Sequence, residues 1–69
     1  MSSYMLYYLT DELHIVDHRV YDGDDDLAAV DEARLRADGH IIDVWQDKRR
    51  VAMVKKGYAP LVFSNPRTA

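Results

Sequence analysis

Apolar residues run without interruption from Tyr4 to Leu9, and the run stops at Thr10-Asp11-Glu12. Continuity rather than alternation predicts a strand covered on both faces, hence interior to its sheet. From Leu13 to Tyr21 the pattern turns mixed, with β-branched and aromatic residues around Asp17, His18 and Arg19. This segment is read as a second strand, reached by a short hairpin and half exposed at a sheet edge. Asp22-Gly23-Asp24-Asp25-Asp26 then leads into Leu27–Ala37, a stretch of good helix formers. Aspartate accepts the free first-turn N–H groups and suits the positive end of the helix dipole, so the helix begins here. Leu27, Val30, Ala33 and Ala37 recur at helical spacing and predict the core stripe, with Leu35 off it. Gly39 is expected to supply a left-handed C-cap.

His40–Gln46 and Arg49–Lys55 read as the third and fourth strands, joined by a two-residue turn at Asp47-Lys48. That turn sets Val44 opposite Val51 and Ile42 opposite Met53 on one face. On the other face it sets Trp45 opposite Arg50 and Ile41 opposite Val54. Gly57 and Pro60 end the pattern. Residues 1–56 therefore form one β-β-α-β-β domain, and 57–69 form a tail carrying Leu61-Val62-Phe63. The expected fold is α+β: a four-stranded antiparallel sheet in the order 2-1-3-4 with one helix on one face.

One helix leaves the opposite face bare. That face is predicted to carry Trp45, Ile41 and Val54, with Tyr4, Leu6 and Tyr8 of the first strand; the other set, Met5, Tyr7 and Leu9, is equally apolar. Such a patch exceeds what monomers usually expose. It is expected to be covered by a second copy of the chain, by another protein, or by the tail folding over it. Trp45 is the expected interface anchor, because buried aromatics dominate interface energetics.

Composition sharpens this picture. With 69 residues, 48% hydrophobic and 30% charged, the chain is too short for a doubly wound nucleotide-binding fold or a barrel enzyme and too apolar for wholesale disorder. Its core is thin, and the absence of Cys removes disulfide staples and thiolate metal sites. Oligomerisation is the remaining supplement. The first ten residues have no basic stretch and no signal-peptide pattern, which predicts a cytoplasmic protein with no membrane segment.

The net charge of −3 hides an asymmetry. Residues 1–38 hold ten acids against three bases, a formal −7; residues 39–69 hold two acids against six bases, a formal +4. Lys48, Arg49, Arg50, Lys55 and Lys56 bracket the fourth strand, with Trp45 and Tyr58 nearby. Cations beside sheet aromatics suit single-stranded nucleic acid, which is the alternative functional reading. Against it stand the acidic balance and the carboxylates at the helix start.

Candidate chemistry is sparse. The cluster Asp22, Asp24, Asp25 and Asp26 lacks the spacing of a calcium loop: the twelfth position is Ala33 where a Glu is needed, and Gly23 is misplaced. His14 and His18 fall on a predicted strand, where four residues span about 13 Å, too far to share a zinc ion. Ser2, Ser3, Thr10, Ser64 and Thr68 lie in termini or turns without a nucleophile motif. No catalytic residue, metal or cofactor is expected.

An aromatic first strand, an Asp-rich approach to an Ala-rich helix, and Ile42-Asp43-Val44-Trp45-Gln46 followed by Arg49-Arg50-Val51-Ala52 together carry a resemblance. Over roughly residues 4–54 the chain resembles a group of short proteobacterial proteins classed as a domain of unknown function. The turn in such proteins often carries Gly where this chain has Asp47-Lys48. The resemblance implies no activity. The sequence thus predicts a small non-catalytic interaction module, most economically a homodimer through the helix-free sheet face.

Overall fold

A computed structural model of the chain describes residues 2–63. Ser64, Arg67 and Thr68, and the tail beyond Phe63, lie outside the described residues. Five strands and one helix follow in the order β1 (Ser2–Leu9), β2 (Ile15–Gly23), α1 (Asp26–Arg36), β3 (Ile41–Gln46), β4 (Arg49–Val54) and β5 (Leu61–Val62). The sheet is antiparallel in the order β2-β1-β3-β4-β5. The α+β class and the order of the first four strands match the expectation. The fifth strand is a correction: Leu61 and Val62 pair with Met53 and Ala52, and the Phe63 N–H donates to the Val51 carbonyl at 3.0 Å. This part of the tail lengthens the sheet at its edge instead of folding across its face.

The helix starts where the aspartates place it. Asp25 is the N-cap, its carboxylate accepting from the Ala28 N–H at 2.9 Å. Asp25→Ala is expected to cost about 1 kcal/mol of stability, read as a lower urea midpoint with unchanged slope. The buried helical residues are Ala29, Val30 and Ala33, with Ala37 just beyond the last turn. Leu27 is 67% exposed, which corrects its place in the core stripe. Burial of Ala29 rotates the contact face, leaving Leu27 roughly a quarter-turn away at 3.6 residues per turn. Leu35, 81% exposed, points to solvent as expected. Ala37 caps the C-terminus, and Gly39 two residues later takes the left-handed φ of 88°.

The core lies between α1 and one face of the sheet. Tyr4 and Leu6 of β1, Ile42 and Val44 of β3, and Val51, Ala52 and Val54 of β4 meet Ala29, Val30 and Ala33 there. Two of these positions depart from the expected register because β4 carries a bulge. Trp45 pairs with Arg50 as expected, but Val44 pairs with Ala52 and Ile42 with Val54. Val51 is the extra residue. It keeps its side chain in the core and shifts every later residue of β4 to the other face. Val54 is therefore covered by the helix, and Met53 faces away from it, opposite Asp43. In β2 the strand begins at Ile15, since Leu13 adopts a left-handed φ of 67° in the turn. At the turn between β3 and β4, Asp47 takes φ 54°, a conformation that Asp tolerates better than most residues.

Candidate functional site

The helix-free face is assembled by cross-strand partners. Met5 lies between Val20 and Trp45, Tyr7 between His18 and Asp43, and Leu9 between Ile15 and Ile41. Asp43 continues to Met53, and Met53 to Leu61. Met5, Tyr7, Trp45 and Met53 are half-buried, while Ile15, Val20, Leu61 and Phe63 are exposed. Among the described residues no element packs over this surface. The apolar face is thus continuous across all five strands.

At its centre sits one ion pair. Arg50 Nε donates to Asp43 Oδ1 at 3.0 Å, and Asp43 is only 9% exposed. The Arg50 guanidinium lies 4.3 Å from the centroid of the Phe63 ring, a cation–π contact that shields the pair on its outer side. Charge on this face is neutralised where it is most enclosed. Toward β2, Tyr7 and His18 rings lie 6.4 Å apart and tilted.

The covered face ends in a second polar cluster. Asp26 receives the Tyr4 hydroxyl on Oδ1 at 2.8 Å and is clasped by two Arg49 nitrogens, each at 2.8 Å. Gln46 also accepts from Arg49. The Arg49 hydrogen bonds hold the Asp26 carboxyl below the usual carboxylate range. Burial, together with the Asp26 hydrogen bond and charge, pushes the Tyr4 hydroxyl up to about 12. A groove of about 730 Å³ opens beside this cluster, floored by Val30, Val51 and Val62. Its acid is thus an ionised acceptor already engaged by two donors' side chains, a tie between helix and sheet.

The structure separates the residues expected to share the open face. Trp45 and Ile41 are on it, although Ile41 is itself buried. Tyr4, Leu6 and Val54 are on the helix-covered face, and Tyr8 packs against the same core. Met5, Tyr7 and Met53 take their places. Both alternating sets of the first strand are apolar, so parity there had to come from three-dimensional packing.

The basic residues of the hairpin are largely engaged with acids. Besides Arg49 with Asp26 and Arg50 with Asp43, Lys56 Nζ meets Asp38 at 3.1 Å. Lys55 lies over the Tyr58 ring, and Lys48 sits at the turn. The helix-entering aspartates also have local roles, Asp22 accepting from Ser3 and Asp25 capping the helix. Among the described residues, no three His, Asp or Glu side chains gather as metal ligands. Among them, too, no helix is long and apolar enough to cross a membrane.

No protein-family model matches this chain, and no curated protein or solved structure does either. The functional reading rests on the geometry.

Proposed function

We propose that this chain is a small non-catalytic interaction module that associates with a second copy of itself through the helix-free face of its sheet. The observation that carries the reading is the continuous apolar face around Trp45, with half-buried Met5, Tyr7 and Met53 and a neutralised Asp43–Arg50 pair at its centre. Two such faces stacked about 10 Å apart bury their aromatics and thioethers against each other. A second copy fits better than an anionic partner because the enclosed charge is already balanced. Nucleic acid asks for uncompensated cations, whereas Arg49, Arg50 and Lys56 each face a carboxylate. A non-catalytic role agrees with Asp26, which its partners keep ionised as a structural acceptor.

Light scattering across a hundredfold concentration range tests the proposal. At high concentration the particle should reach at least twice the 8.0 kDa chain mass. Met53→Lys, which places a charge on the open face without touching the core, should weaken self-association at least about tenfold while leaving the circular dichroism unchanged. Trp45 is the single tryptophan, so its emission should shift to the red as the particle dissociates. A strictly 8.0 kDa particle at every concentration would sink the proposal. So would a Met53→Lys variant that assembles as the parent does.

A further inference from the structure

The outermost strand, β2, carries its own complementarity. It pairs with β1 on one side, and among the described residues no strand pairs with its other side. Every residue from Ile15 to Val20 is exposed. Natural edges of this length are usually blunted, because unpaired backbone groups invite another strand. Here the covering is limited: a register shift leaves Val16 without a partner on β1 near the start of the strand, and the His18 N–H turns to the Asp17 carboxylate of its own strand at 2.8 Å. Neither Asp17 nor Arg19 has an ion-pair partner among the described residues, unlike Arg36, Arg49, Arg50 and Lys56. Asp17 and Arg19 are two apart, so they share one face of the strand.

We infer that the β2 edge is a second self-association surface, pairing antiparallel with β2 of another copy in the register centred on His18. Residues directly opposite in an antiparallel pair point to the same side, so a two-fold axis normal to the sheet passes beside a residue rather than between two. Three centres keep the middle of the strand paired. A centre at Asp17 sets the two Asp17 carboxylates against each other, and a centre at Arg19 sets the two guanidiniums together. Both are like-charge contacts, which oppose pairing. The centre at His18 sets Asp17 opposite the second copy's Arg19, and Arg19 opposite the second copy's Asp17. The carboxylate that covers the His18 N–H then has a cation to turn to, and the freed N–H faces the second copy's backbone. The product is a continuous ten-stranded sheet built from two five-stranded ones, with both helices on the same side.

This inference is independent of the face-to-face reading, since it uses the edge and neither Trp45 nor Met53. Charge exchange tests it by sedimentation equilibrium, in the parent chain and in the Met53→Lys background. Asp17→Arg alone and Arg19→Asp alone each set like charges opposite twice over, and each should weaken edge pairing by roughly tenfold. An equimolar mixture of the two single variants should restore association, because each Arg then meets an Asp. The double variant D17R/R19D should restore it within one chain. Unchanged association of the single variants overturns the inference, as does a mixture that associates no better than its components. Asp17 and Arg19 are both solvent-facing, and circular dichroism verifies that each variant is folded. Charge-sensitive association that persists in Met53→Lys leaves the edge standing; complete loss of association in Met53→Lys, or a flat charge series beside a sensitive Met53→Lys, removes the edge alone.

Discussion

Leu6→Ala is expected to lower Tm by roughly 10–25 °C, the largest effect of any single truncation considered for this chain. Leu6 is fully buried, opposite Val44 on β3 and beneath the small Ala29 and Ala33 of the helix. Removing its branched end forfeits the transfer energy of three carbons and leaves a cavity, together about 2–5 kcal/mol. A domain of this size has on the order of 3–5 kcal/mol to lose. The variant should therefore be substantially unfolded near body temperature, as circular dichroism melts at low protein concentration would show. Met5→Ala is the matched control, one residue away but on the open face and only half-buried. It should cost the isolated chain less than half as much. Equal losses at the two positions would contradict the division of β1 into a covered and an uncovered face.

The second large effect lies at alkaline pH. Tyr4 is 3% exposed, and its hydroxyl is pushed up to about 12, first by burial and then by the Asp26 carboxylate it donates to. The folded value lies above the unfolded one near 10, so folding favours the protonated phenol. Its contribution is complete below about pH 10 and drains away as pH rises toward 12. A displacement of this size corresponds to about 2–3 kcal/mol. Urea midpoints of the parent should fall steeply between about pH 10 and about pH 12, the unfolded and folded values of this hydroxyl. Tyr4→Phe should be less stable at neutral pH, where it lacks the hydrogen bond, yet show a much shallower alkaline decline. Parallel curves for the two proteins would exclude Tyr4 as the source. Asp26 acts at the opposite end with the opposite sign. Its lowered carboxyl contributes above the ordinary carboxylate range and loses that contribution as acid titrates it. The Asp26–Arg49 pair is about one-third exposed on each side, so screening trims what it adds.

Much of the architecture was legible because local rules and the final packing agree. The six-residue apolar run became an interior strand, Asp25 became the N-cap, and the order of four strands followed from one helix needing one sheet face. Face assignment was harder. Either alternating set of β1 can form a core, and local pattern does not choose between Tyr4–Leu6 and Met5–Tyr7. In β4 the sequence Val51-Ala52-Met53-Val54 is apolar at every position, so nothing in its alternation betrays the bulge. Strand β5 was missed because its two residues are exposed and its pairing is by backbone, leaving no amphipathic trace. Trp45 stood out at once; its companions Met5, Tyr7 and Met53 required the correct parity. The charge asymmetry also resolves inside the fold. Asp26 with Arg49 and Asp38 with Lys56 join the acidic first half to the basic second half.

The Val51 bulge has a consequence for reading descent. Residues 49–50 and 52–54 belong to opposite phases of one strand, and the switch consumes a single position. A relative with a regular hairpin would be one residue shorter there. Aligned without a gap, its inward side chains would stand against this chain's outward ones, and true kinship would score as mismatch. The correct comparison places an offset at Val51, after which core meets core on both sides.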